Sequence, residues 1–135
     1  MEASSKNFSA VELRCHCPKC NRQQPNKVQQ SSLDKLQLLR EKVNRPLSIV
    51  SAYRCAEHPV EKRKTTPGQH NKGTAFDIAV GDGSEAYEVM KHAFALGFTG
   101  IARGNRYSHI YSGELDLLTW TSRHLKNPCC MECAL

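Results

Sequence analysis

No apolar run in this 135-residue chain approaches the roughly 18 residues that a helical membrane span requires. The first eight residues, Met-Glu-Ala-Ser-Ser-Lys-Asn-Phe, carry no apolar core of the kind that a secretory leader has. The chain is therefore expected to be made in the cytoplasm and to meet any outside target by another route. No basic stripe interleaved with aromatics marks a single-strand groove. A second Cys-x-x-Cys at finger spacing and an Arg-rich recognition helix are also missing, so no nucleic-acid partner is expected. Internal repeats and low-complexity segments are absent too. The remaining composition, 39% hydrophobic and 24% charged, is ordinary for a globular protein, and the length suits one domain, expected as a monomer. The formal charge of +6 favours solubility and weak attraction to polyanions.

Cysteine, by contrast, is plentiful, with seven residues. Cys15-His-Cys-Pro-Lys-Cys20 near one end and Cys129-Cys-Met-Glu-Cys133 near the other form two tight groups. Without a leader, clustered thiols favour metal over disulfides. Cys17 and Cys20 have the spacing of half a zinc site, as do Cys130 and Cys133. Cys15, Cys17, Cys20, Cys130 and Cys133 thus offer a second, structural Zn²⁺ site that ties the chain ends together. Disulfides and free thiols are the alternatives.

Residues 7–14 read as a short helix or turn, with Ser9 and Glu12 in capping-box positions and Phe8 and Leu13 as anchors. Residues 31–44 are the clearest helix: Leu33, Leu36, Leu39 or Arg40, and Val43 form one stripe. Ser31 or Ser32 should cap it and Pro46 should stop it. Residues 47–53 read as a strand delivering Arg54, and 56–69 as a long functional loop. Residues 84–96 form a second helix with Ser84 as cap, with Tyr87, Val89 or Met90, Ala93 and Phe94 inward and Gly97 at C′. Residues 98–103 and 106–111 form a hairpin with Gly104-Asn105 at its tip. Residues 115–122 carry Trp120, and 123–135 form a Cys-rich tail.

The chemistry concentrates at Gln69-His-Asn-Lys-Gly-Thr-Ala-Phe-Asp77. His70 and Asp77 are metal-ligand candidates, and Gly73 permits the turn that folds one back beside the other. Catalytic zinc usually takes three protein ligands and keeps one position open. His109, in an alternating run that can pair beside residues 74–79, is the best third. Zinc held there lowers the pKa of a water from 15.7 towards about 7. Hydrolysis also needs a base and an oxyanion donor. Arg54 suits the donor role, or the grip on a substrate carboxylate, with a plain ion pair as the alternative. Glu114 is the best base candidate, with Asp116 and Glu57 behind it. His58 either lines the cleft or lies on the surface.

Ser51-Ala-Tyr-Arg-Cys-Ala-Glu-His58, Gln69–Ile78, Gly97-Phe-Thr-Gly-Ile101 and Ser108-His-Ile110 stand in the order and spacing of the M15 zinc peptidases. The chain resembles this family over about residues 8–120, and most closely its short phage-type members. The family comprises D-Ala-D-Ala carboxypeptidases and L-alanyl-D-glutamate endopeptidases, and shares a fold with the Hedgehog signalling domain. The resemblance implies an α+β domain with a small, mainly antiparallel sheet, packed helices and a zinc cleft on the sheet. It implies His70, Asp77 and His109 as ligands of one catalytic Zn²⁺, with Tyr53-Arg54 bordering the cleft. The implied activity is hydrolysis of a peptide bond in peptidoglycan stem or cross-bridge peptides, as in an endolysin acting after release or carried in a phage particle. Three positions depart from the pattern. Arg106 stands where several branches place an acid, Tyr111 where short members place Asp, and Gly68 where Ser is frequent. These departures keep open a catalytically weakened zinc module that binds peptide or wall polymer.

Overall fold

The computed structural model of the protein describes residues 2–112. In chain order the elements are α1 (Gln30–Val43), β1 (Ile49–Ser51), α2 (Pro59–Lys62), β2 (Ala75–Ala79), α3 (Gly83–Ala95), β3 (Gly100–Arg103) and β4 (Tyr107–Tyr111). The four strands form one antiparallel sheet in the order β1-β2-β4-β3. This is the α+β architecture that the sequence implies.

Period-two alternation decides what each sheet face does. Phe76 and Ile78 of β2 and Ile110 of β4 are fully buried. They share one core with Leu33, Leu36, Leu39 and Val43 of α1 and with Ala86, Val89 and Ala93 of α3. Each fully buried Leu of that stripe contributes about 1.5–3 kcal/mol relative to exposure. The alternate residues of the same strands, Asp77 and His109, must then point to the other face. Cross-strand register aligns Ser51 with Asp77, Asp77 with His109, and His109 with Ala102. Ser51, Asp77 and His109 therefore form one polar row across β1, β2 and β4, on the face turned away from Phe76 and Ile110.

Several ends differ from their sequence-based expectation. Helix α1 begins at Gln30 after Gln29, whose side chain makes no cap bond. Ser32 is buried instead, and its hydroxyl hydrogen-bonds Ser112 Oγ at 2.6 Å. The helix stops at Asn44 (φ 57°), before Pro46 is reached. Asn tolerates that left-handed geometry better than most residues. Helix α3 is capped by Asp82, two residues earlier than Ser84, and Asp82 Oδ1 accepts from the Glu85 N–H at 2.9 Å. Its inward face is Ala86, Val89 and Ala93, whereas Tyr87 and Phe94 are 67% and 60% exposed. Each ring stands one residue, about 100°, round the helix from a buried alanine, and so falls outside the buried face. At its end, Phe98 N–H donates to Ala93 O and Gly97 N–H to Phe94 O, with Gly97 at φ 93°. That is the Schellman pairing expected of a glycine at C′.

The N-terminal segment is turn rather than helix. The capping-box contacts form regardless: Ser9 N–H donates to Glu12 Oε1 (2.6 Å) and Glu12 N–H to Ser9 Oγ (3.3 Å). Phe8 and Leu13 are buried as expected. The 56–69 loop contains a short helix, α2, whose cap is His58, with Nδ1 accepting from the Val60 N–H.

Candidate metal centre

Three donor atoms converge at the centre of the polar row. His109 Nδ1 lies 2.7 Å from Asp77 Oδ1, His70 Nε2 lies 3.3 Å from the same oxygen, and the two ring nitrogens are 3.2 Å apart. The sheet supplies two of the three, because Asp77 and His109 are direct cross-strand partners. The third arrives from the turn before β2. Gly73 takes φ 78° there, and its N–H donates to His70 O. Any side chain at Gly73 would also collide with the Lys27 carbonyl. A glycine is thus required both by backbone sign and by space.

His70 is 3% exposed and its ring is fixed from behind. Nδ1–H donates to Ala52 O at 2.6 Å, which leaves the Nε2 lone pair aimed at the cluster. Ordering the second nitrogen of a ligating His by a carbonyl is a familiar outer-shell device. Asp77 is 4% exposed. Burial by itself would raise the pKa of its carboxyl, but the neighbouring imidazoles, His109 at 2.7 Å foremost, outweigh this and hold it well below the usual carboxylate range. Its second oxygen is braced by Arg54, whose Nη2 donates to Oδ2 at 3.1 Å while Nε donates to Ser51 Oγ at 3.1 Å. The Arg54 backbone is tied to the same turn: its N–H donates to His70 O, and its carbonyl accepts from Asn71 Nδ2.

The donor set fits a divalent metal. A His70 lone pair and an ionised carboxylate oxygen face each other at 3.3 Å, a repulsive pairing that a cation between them relieves. Two imidazoles and one carboxylate are a ligand set of catalytic zinc sites.

Sequence reasoning brings His70, Asp77, His109 and Arg54 to one place, and the structure does so too. Glu57 lies apart, in surface ion pairs with Lys19 (3.2 Å) and Lys62 (3.5 Å). His58 is half-buried; burial first, and then the charge of Arg54, lowers its pKa. Arg106 is exposed, and Tyr111 packs its ring 5.6 Å from that of His109. Gly100, directly opposite Tyr111, has no side chain and so makes room for the phenol. Glu114, Asp116, Trp120, Cys130 and Cys133 lie outside the described residues.

Three contributors escaped sequence reasoning. The Ala52 carbonyl and Asn71 act through backbone geometry, which residue types do not announce. Glu61 is 6% exposed, pairs with Lys64 Nζ at 3.1 Å and accepts from the Gly68 N–H at 3.3 Å. It braces the loop before His70, a long-range role that residue type does not announce.

Comparison with curated proteins gives no match. A family model described as Peptidase M15 matches residues 6–111, a span that takes in the whole sheet, all three donors and Arg54. The chain belongs to the Peptidase M15 family, and is a metallopeptidase by that membership.

Proposed function

We propose that the protein hydrolyses a peptide bond in the stem or cross-bridge peptides of peptidoglycan, using a zinc ion held by His70, Asp77 and His109. The observation that carries this reading is the convergence of three donor atoms within 3.3 Å of one another on one sheet face. A Zn²⁺ bound there would supply a water of lowered pKa and would polarise the scissile carbonyl. Ala52 holds His70 in the tautomer that presents Nε2. Arg54 holds Asp77 through the oxygen that does not face the histidines, so it is first a positioning residue. A net charge of +6 suits approach to an anionic wall. Within the family, the choice between carboxypeptidase and endopeptidase action rests with the residues that flank the cleft.

The test is mass spectrometry of purified peptidoglycan incubated with the protein, with and without a strong chelator. Chelator-sensitive release of muropeptide fragments is the expected result, and the fragment masses name the bond. Intact peptidoglycan, from folded and zinc-loaded protein, would overturn the reading.

A second reading, a weakened module that binds wall peptide, is favoured by one observation. Among the described residues Asp77 is the only acid bonded to the donor cluster, and Arg106 and Tyr111 stand at the two positions where relatives by resemblance carry acids. On that reading, Tyr111→Asp should raise turnover by about 10²–10⁴-fold, the usual contribution of a positioned acid or base. No change in turnover would count against it.

A further inference from the structure

A second cluster of metal-binding side chains lies outside the peptidase site, and the cysteine at its centre is not one of those the sequence grouped. Cys55 is 40 residues from Cys15 and follows Arg54 at the exit of β1. Its sulfur lies 3.6 Å from Cys15 Sγ, 3.4 Å from Cys17 Sγ and 3.1 Å from Cys20 Sγ. All four sulfurs fall within 4.8 Å of one another. We infer that Cys15, Cys17, Cys20 and Cys55 form a structural tetrathiolate zinc site, closed by Cys55 rather than by the C-terminal cysteines.

Four independent features point the same way. The first is number and shape. Zinc–sulfur bonds of about 2.3 Å in a tetrahedron put sulfurs about 3.8 Å apart; the spacings from Cys55 to Cys15 and Cys17, 3.6 and 3.4 Å, come near this, and that to Cys20, 3.1 Å, is shorter. Disulfides would use the sulfurs in pairs, whereas here one sulfur is shared about equally among three. The second is burial. Cys15, Cys17 and Cys20 are 1%, 3% and 7% exposed and Cys55 is half-buried, so three of the four sulfurs belong to buried residues, as suits a structural site.

The third is the backbone. Cys20 N–H points at Cys17 Sγ at 3.4 Å, a contact that favours thiolate over thiol. Asn21 and Arg22 then adopt φ 42° and 60°, in the left-handed region that non-glycine residues enter at a cost. They reverse the chain so that Arg22 N–H can donate to Cys15 O and Asn21 N–H to Cys17 O. The fourth is location. This segment has no regular element among the described residues from 2 to 29, and a chain without helix or strand gains most from a metal clip. The clip also has a target: Tyr53 N–H bonds Leu13 O, and Cys55 adjoins the Arg54 that braces Asp77. Metal bound here would fasten the N-terminal segment to the strand exit that carries Arg54.

The full chain, purified under reducing conditions, tests this by metal content, by the spectrum of the cobalt-substituted protein and by a map of thiol alkylation. Two zinc equivalents per chain are expected, falling to one in both His70→Ala and Cys55→Ser. Cobalt-loaded His70→Ala should keep the intense thiolate-to-cobalt charge-transfer band, Cys55→Ser should lose it, and the double variant Cys130→Ser/Cys133→Ser should retain it. Alkylation needs no variant, and so decides the matter if Cys55→Ser does not fold. Cys15, Cys17, Cys20 and Cys55 should be protected until a chelator is added. Equal alkylation of the four with and without chelator would overturn the inference. So would a band that survives Cys55→Ser and vanishes in Cys130→Ser/Cys133→Ser. None of these readouts depends on peptidase activity.

Discussion

Asp77 and His109 face each other across a paired strand, with the fully buried Phe76 and Ile110 behind them. Cys15, Cys17 and Cys20 sit on turns with no ladder to hold them. The two clusters invert the relation between scaffold and metal. On the sheet, the fold comes first and places three nitrogen and oxygen donors on a face where a fourth position can stay open for chemistry. In the N-terminal segment, four soft sulfurs close around one point, and the geometry of the ligands substitutes for missing secondary structure. Softness and coordination number thus sort the two: a mixed His/Asp triad suits turnover, and four thiolates suit structure.

The largest effect should come from breaking the sheet cluster. His109→Ala removes one donor from a residue whose side chain is only 25% exposed but which contributes little to the apolar core. Loss of outer-shell partners alone costs about 10–100-fold, so loss of a ligand should cost at least about 100-fold in peptidoglycan release, down to the level seen with chelator. The far-ultraviolet circular dichroism should be unchanged, because β2 and β4 pair through backbone. A collapse of the fold would instead show that the metal organises the sheet as well, and the contrast between the clusters would fail.

Arg54 lies between the two clusters, and its replacement measures whether they communicate. Arg54→Ala should lower zinc affinity or turnover by about 10–100-fold, the range for an outer-shell partner of a ligand. Arg54→Lys keeps the charge but cannot donate to Ser51 Oγ and Asp77 Oδ2 together, and should fall between. If zinc affinity and kcat hold while KM rises, Arg54 grips substrate rather than Asp77.

Removing metal from the thiol cluster should show in stability rather than chemistry. A Cys17→Ser chain that binds its metal about 100-fold more weakly loses about 2.7 kcal/mol at matched free zinc. At about 2–8 °C per kcal/mol for domains of this size range, Tm should drop by on the order of 10 °C. Thermal melts with and without added zinc check it; an unchanged Tm would reduce the cluster to four packed thiols.

How much of this was legible beforehand follows from what each feature rests on. The α1 stripe, the Gly73 turn, the facing of His109 and Asp77 and the glycine end of α3 were readable, because periodicity, glycine and strand alternation are local. Tyr87 and Phe94 were misplaced, because the apolar residues of α3 spread over more than one face, and the buried one centres on Ala86, Val89 and Ala93, about 100° away from both rings. Cys55 was missed as a cluster member for the same kind of reason. Its thiol lies 35 residues from Cys20, and only the fold, through the Tyr53–Leu13 backbone bond, brings the two together. The doublet Cys130/Cys133 lies outside the described residues, and its spacing was all the sequence offered.

The smallest effect concerns what frames the thiol cluster, and it is read against pH. Arg14, just before Cys15, donates through Nη1 to Arg22 O (3.0 Å), so it staples the two ends of the cysteine turn. Glu2 orients that staple by accepting from Arg14 Nε at 2.8 Å and Nη2 at 2.6 Å, and from the Asn26 N–H at 2.9 Å. The Arg14 hydrogen bonds first, and then that of Asn26, lower the Glu2 pKa from 4.5 to about 2. A carboxylate depressed on folding contributes stability above its unfolded pKa and loses it as pH falls towards the folded value. The contribution is therefore complete above about pH 4.5 and gone by about pH 2. Glu2→Gln should lower stability slightly at neutral pH and flatten the stability curve across that window. Because the pair is solvent-screened, the change should stay within the modest range of surface ion pairs. The chain should be assayed without zinc, so that protonation of the thiolates does not add to the slope. A Glu2→Gln curve parallel to wild type between those pH values would show that the cysteine turn holds its shape without this staple.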